Sequence, residues 1–164
     1  MGEVRDLTLH PYRAGEAAAL VGLFYDTVHT VCGADYTPEE LDAWADGKAD
    51  AVAWERSLLQ HHTLVARRGE TIVGFADADG DYLDRLYVHG GYLRQGVATA
   101  LADALEQQAR AAGHRKMVTH ASITARPFFE KQGYRVIREQ QVERKGLLLT
   151  NFVMEKALKT AVDK

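Results

Sequence analysis

The stretch Leu93-Arg94-Gln95-Gly96-Val97-Ala98-Thr99 puts a guanidinium and a glycine at the opening of an amphipathic helix. The first N–H groups of a helix have no partner within it and carry the positive end of its dipole. An anion is stabilised there, and a phosphate fits especially well. Gly96 lets a phosphate approach the backbone, and Arg94 adds positive charge. No Lys-Ser or Lys-Thr follows Gly96, which excludes the phosphate loop of nucleoside triphosphatases. The Gly-x-Gly-x-x-Gly spacing of dinucleotide folds is absent as well. Taken alone, such a loop also serves as a plain strand–helix connection. A second cluster of functional groups, His29-Thr30-Val31-Cys32-Gly33-Ala34-Asp35-Tyr36, lies between two helical segments. Cys32 reads as a passive thiol, and His61-His62 lack the spacing of a metal site, so no metal is expected.

These residues need elements to position them. Leu83, Leu86, Tyr87 and Val88 mark a strand over 81–88 ahead of the loop. After the loop, Val97, Leu101, Ala104, Leu105, Gln108 and Ala112 form a stripe at helical spacing, and Gly113 ends it. Earlier, residues 4–10 alternate as a first strand, and residues 13–31 carry Ala17, Leu20, Val21, Phe24 and Val28 on one helical face. Thr37-Pro38-Glu39-Glu40 is a helix start with a capping box, and Trp44 and Trp54 sit on this and the next helical segment as packing residues. Strands over 62–68 and 70–78 flank Arg68-Gly69, and Asp79-Gly80 turns into the strand at 81–88. A strand over 116–121 follows the stripe, then a helix capped by Thr124, with Pro127 in its first turn and Gly133 at its end. Residues 134–143 and 147–155 make a last hairpin through Lys145-Gly146. This order predicts an α/β (α+β) fold with a mixed central sheet flanked by helices.

Composition narrows the classes. The 164 residues predict one domain, over 1–164, with a proper core. A net charge of −3 gives no electrostatic reason to bind nucleic acid or an anionic membrane. The start lacks the basic and apolar run of a signal peptide, and no apolar stretch approaches the length of a membrane span. One cysteine makes no internal disulfide, so a reducing cytoplasm is the expected setting.

The loop run resembles motif A of the GCN5-related N-acetyltransferases (GNAT), Gln/Arg-x-x-Gly-x-Gly/Ala between a strand and a helix. Gly96 and Ala98 take the small positions, Leu93 stands where Gln or Arg is usual, and Gly90-Gly91 replace a common Pro-Asp pair. A second segment, Ser122-Ile123-Thr124-Ala125-Arg126-Pro127-Phe128-Phe129 through Gly133-Tyr134, resembles the later motif Asn-x-x-Ala-x-x-Phe-Tyr-x-x-x-Gly-Phe. The similarity spans roughly the last two-thirds of the chain. It implies a GNAT fold in which the strands at 81–88 and 116–121 splay apart around the pantetheine arm of acetyl-CoA. The backbone of Leu86, Tyr87 and Val88 would then bond the arm and polarise the thioester. Arg94, Gln95, Gly96, Val97, Ala98 and Thr99 would hold the phosphates, and Ser122, Phe128 and Phe129 would flank the arm.

The resemblance implies an N-acetyltransferase that moves an acetyl group directly to the amine of a small molecule or peptide in a ternary complex. A lysine-like amine, with a pKa of about 10.4, must lose a proton before attack. Many members place a Tyr at the position of Phe129 as the acid for the leaving thiolate, and here that acid is missing. Asp84, His120 and Ser122 are the candidate catalytic residues, with Asp84 a base acting directly or through water. Each also has a plain reading: His120 a structural histidine, Asp84 a charge partner of Arg85. His29, Asp35 and Tyr36 are candidates for the acceptor pocket, or for loop capping. Phe129 and Leu93 favour an alternative, a non-catalytic acyl-CoA-binding sensor or partner-binding module. A homodimer paired through the final hairpin is a further expectation.

Overall fold

In the computed structural model, which describes residues 6–159, seven strands form one mixed sheet in the order β1-β2-β3-β4-β5-β7-β6. The strands are β1 (Leu7–Pro11), β2 (His62–Arg68), β3 (Thr71–Asp79), β4 (Tyr82–Val88), β5 (Lys116–Ser122), β6 (Arg135–Arg144) and β7 (Leu147–Ala157). The helices are α1 (Ala17–Val31), α2 (Pro38–Trp44), α3 (Ala51–Gln60), α4 (Val97–Ala111) and α5 (Arg126–Gln132). Every neighbouring pair is antiparallel except β4 and β5. That one parallel pair carries the α4 crossover, as a parallel connection must.

Local rules explain most boundaries. Thr37 accepts from the Glu40 N–H while the Glu40 side chain accepts from the Thr37 N–H, a complete capping box with Pro38 in the first turn. Residue Val4 of the expected first strand lies outside the described residues, and the strand begins at Leu7. The first helix starts at Ala17 rather than residue 13, because Gly15 takes φ +95° and breaks the turn before it. On α4 the buried face is Val97, Leu101, Ala102, Leu105, Glu106 and Ala109, while Gln108 and Ala112 are exposed, so the stripe bends away from the expected one. Glu106 goes inside because Lys156 Nζ and Gln132 Nε2 bond it at 2.6 and 3.0 Å. Thr124 does not cap α5. Ser122 Oγ accepts from the Ala125 N–H at 3.0 Å, and the Thr124 hydroxyl donates to Asp35 Oδ2 instead.

The main core lies between α4, α5 and the sheet, with Leu83, Leu101, Leu105, Met117, Phe129 and Met154 inside it. A second cluster packs Leu20, Leu58, Val65 and Phe75 under α1 and α3. Ala17–Ala34 is long and apolar enough by length and composition to cross a membrane, contrary to the expectation from sequence, yet Leu20, Leu23 and Val28 of this stretch are buried in the protein core. At the sheet edge, β6 carries Arg135, Arg138, Glu139, Glu143 and Arg144, charges that discourage edge-to-edge pairing.

Candidate active site

β4 and β5 meet only at Tyr82↔Val118 and Leu83↔Thr119. Beyond that rung β4 stays with β3 as far as Val88, and β5 stays with β7 as far as Ser122, so the sheet opens between them. The opening starts at an irregularity. The β3 register moves from Asp77↔Arg85 to Ala78↔Leu83, which makes Asp84 the extra residue of a bulge. His89 N donates to the Val73 carbonyl at 2.8 Å, so the alternation of an antiparallel pair turns the backbone groups of Leu86 and Val88 away from β3, on the side of the opening. Thr27 Oγ1 donates to the Val88 carbonyl at 3.3 Å.

The glycine loop ends against this opening. Gly96 has φ +83°, the N-cap position of α4, and no side chain caps the helix. Ala100 N donates to the Gly96 carbonyl, so the N–H groups of Val97, Ala98 and Thr99 have no partner within the helix. Arg94 also has positive φ, at 62°, and with Gln95 and Thr99 it is exposed. Arg68 Nη2 donates to the Gln95 carbonyl at 3.3 Å and brings a second guanidinium to the loop. Gly74 on β3 sets the height of the helix. A Cβ there would meet the Tyr87 carbonyl at 3.0 Å and Val97 Cγ1 at 3.1 Å.

Between α1, the 44–49 loop, β4, β5 and the final hairpin lies a cleft of about 510 Å³. Phe24, Tyr36, Trp44, Trp54, Tyr82 and Tyr87 wall it, and Asp84, Arg85, His120 and Ser122 bring polar atoms to it. Burial pushes the Tyr87 hydroxyl well above its ordinary range, so it stays protonated at neutral pH. Burial and the Arg138 charge hold His120 below the usual histidine value, with Asp84 acting the other way. A neutral imidazole is therefore the resting form at pH 7. His120 also meets the Tyr82 ring edge-on at 5.2 Å.

Behind Asp84 lies a buried cluster. Asp77 is fully buried; its Oδ2 accepts from His61 Nδ1 at 2.8 Å and lies 3.3 Å from Arg85 Nη1. Burial pushes the Asp77 carboxyl above the usual carboxylate range, and Arg85 partly offsets this. Asp84 Oδ2 is 3.8 Å from the same His61 nitrogen and 3.9 Å from Arg85 Nε. Arg85 is fixed from two further sides, by Ser57 Oγ at 2.6 Å and by the Trp54 ring at 4.5 Å. The ligand atoms of His61, Asp77 and Asp84 lie within 4.8 Å of one another, but a cation among them would face the Arg85 charge.

The structure gathers Asp84, His120, Ser122 and Tyr36 on one cleft and leaves His29 and Asp35 off its lining. His29 Nε2 is bound to the Ala45 carbonyl at 2.7 Å, and Asp35 takes the Thr124 hydroxyl at 2.7 Å. Tyr36 donates to the Thr150 carbonyl at 2.6 Å and accepts from the Ile123 N–H at 2.9 Å, which clips the ends of β5 and β7 together. Phe129 is buried against Phe128 and Tyr134, edge-on to both. Sequence reasoning passed over Gly74 and Asp77, weighed His61 only as a metal ligand, and read Trp44 and Trp54 as packing residues.

The match to known proteins follows this geometry. Residues 32–156 match the acetyltransferase (GNAT) domain model. The chain belongs to the GNAT acetyltransferase family. Within it, the chain is 32% identical over 151 residues to a protein named N-acetyltransferase YafP from Escherichia coli K12, covering 92% of this chain and 96% of that one. A GCN5-related N-acetyltransferase structure from Rhodopseudomonas palustris superposes with a TM-score of 0.90 at 34% identity, over 96% of this chain and 99% of that one. PaiA N-acetyltransferase from Thermoplasma acidophilum, solved with coenzyme A, shares the fold with a TM-score of 0.75 at 16% identity, over 93% and 99% of the two chains. So does yncA from Salmonella typhimurium, solved with acetyl-CoA, with a TM-score of 0.70 at 20% identity, over 94% and 95%.

Proposed function

We propose that this GNAT chain transfers the acetyl group of acetyl-CoA directly to a primary amine, small molecule or peptide, held in the same cleft. The observation that carries this reading is the open β4–β5 junction ending against the uncapped N-terminus of α4. Pyrophosphate oxygens would sit on the N–H groups of Val97, Ala98 and Thr99, with Arg94 beside them. The pantetheine arm would run along the backbone groups of Leu86 and Val88, flanked by Ser122 and Phe128. Contrary to the expectation from sequence, Tyr87 turns its backbone groups to β3 and Phe129 is buried in the core. PaiA and yncA, solved with coenzyme A and acetyl-CoA, support this choice of donor.

The amine arrives as an ammonium, drawn by the aromatic walls and by Asp84. Asp84 takes one proton from it, and neutral His120 accepts a hydrogen bond that aims the lone pair. Nitrogen then attacks the thioester carbon: the C–N bond forms, the C–S bond breaks, and the second nitrogen proton goes to the departing sulfur. Ser122 Oγ already accepts from Ala125, which leaves its own O–H to donate to that sulfur. Such positioning accounts for much of the gain, on the order of 7–11 kcal/mol for well-oriented reactants. The charged β6 edge favours a monomer over the expected homodimer, and the buried free thiol of Cys32 suits a reducing cytoplasm.

Thiol release from acetyl-CoA tests the reading, with spermidine, lysine ethyl ester, phenethylamine and an alanyl peptide as acceptors. Amine-dependent release that Asp84→Asn cuts by about 10²–10⁴ supports it. Acetyl-CoA binding without release by any amine would turn the reading towards the non-catalytic module, which Phe129 in place of the usual Tyr and Leu93 in place of Gln or Arg favour.

A further inference from the structure

We propose that Asp77 and His61, which do not line the cleft, are positioning residues that set where Asp84 stands. The proposal rests on Asp84 being the base. Its ground is the sharing of donors: two carboxylates, Asp77 and Asp84, divide one imidazole nitrogen and one guanidinium between them. The nearer contacts belong to Asp77, at 2.8 and 3.3 Å, and the longer ones to Asp84, at 3.8 and 3.9 Å. Asp77 is thus the anchor. It fixes both donors, and they fix the bulge residue.

Charge gives the anchor a second consequence. Two carboxylates face a single permanent cation, so the pair is one positive charge short, and a proton arriving from the amine relieves it. The other groups around Asp84 are His120 from β5 and the Tyr82 and Tyr87 hydroxyls of β4. His61 closes α3, where its own N–H bonds the Ser57 carbonyl at 2.9 Å, and Ser57 in turn holds Arg85. One short segment therefore supplies both restraints.

The test is kcat and KM, measured separately, for wild type, Asp77→Asn, His61→Ala, His61→Asn and Asp84→Asn, with the fastest acceptor among the four amines named above. Asp77→Asn should lower kcat about 10-fold, with the KM for acetyl-CoA unchanged. His61→Ala should lower kcat about 10-fold, the effect of one lost positioning hydrogen bond. His61→Asn, which returns a donor near the Nδ1 position, should recover most of it. A folded Asp77→Asn with wild-type kcat overturns the proposal. If that variant does not fold, the His61 pair decides: His61→Ala equal to wild type, or His61→Asn no better than His61→Ala, overturns it. Full activity in Asp84→Asn would overturn the base assignment itself. An inactive Asp84→Asn beside unchanged Asp77 and His61 variants overturns only the positioning role.

Discussion

Thr119 Oγ1 donates to the Leu83 carbonyl at 2.9 Å, on the last rung that β4 and β5 share. One residue further along β4 is the Asp84 bulge, and one residue further along β5 is His120. The hydrogen bond thus marks where a continuous sheet becomes a cleft.

Thr119→Val keeps the shape and removes the hydroxyl, in a side chain that is 2% exposed. The buried Leu83 carbonyl then loses a donor, at a cost of about 1–3 kcal/mol. We expect a melting temperature lower by roughly 2–12 °C. An unchanged melting temperature would mean that this rung does not hold the junction.

Gly96→Ala puts a side chain at φ +83°, a conformation that costs an L residue about 1–2 kcal/mol. The added methyl meets no protein atom within 4 Å, so packing gives no further penalty. Isothermal titration should show weaker acetyl-CoA binding, because under the proposed binding mode the methyl would stand where the pyrophosphate approaches. Gly74→Val, by contrast, should destabilise the fold itself by pushing α4 off β3.

Asp77 sets a pH dependence opposite to that of an exposed ion pair. Its carboxyl is shifted up in the fold by burial, so the folded chain holds that proton more tightly than the unfolded chain. The contribution is full below the unfolded carboxylate value of about 3.9 and is lost as pH rises through the folded value. Thermal melts of wild type against Asp77→Asn should therefore favour wild type more at pH 4 than at pH 8. The reverse slope would contradict the burial argument.

His120 runs the other way. Its value is held down by burial and by Arg138, so its neutral form prevails above the ordinary histidine value of about 6.5. Its contribution is lost as pH falls through the depressed value. His120→Asn should lower kcat/KM about 10-fold at pH 8, one hydrogen bond to the amine. Below that depressed value the difference should shrink. A constant ratio across the range would remove His120 from the reaction.

Which parts of this were legible in sequence follows from what is local. Gly96, Gly113 and Gly133 sit where positive φ is needed, and Thr37-Pro38-Glu39-Glu40 forms its own cap, so their neighbours in the chain suffice to read them. The splay is not local. The family resemblance implied that β4 and β5 part, but nothing in either strand says that pairing stops at Thr119, because the Asp84 bulge exists only against the β3 register. His29 and Asp35 drew notice by density in one loop, yet their side chains are bound to Ala45 and Thr124. Asp77 was hidden by the opposite effect. Between Ala76 and Ala78 of β3, its role depends on His61 and Arg85, which the end of α3 and β4 bring to it.

The central claim is that the opening and the α4 N-terminus hold acetyl-CoA, and melting with and without it, with NAD and ATP as controls, tests that most directly. At about 100 times the dissociation constant the ligand should stabilise the fold by about 2.7 kcal/mol, a rise of roughly 5–11 °C for a domain of this size. We expect that rise with acetyl-CoA and not with the controls, and we expect Gly96→Ala to shrink it. No shift at millimolar acetyl-CoA would contradict the account.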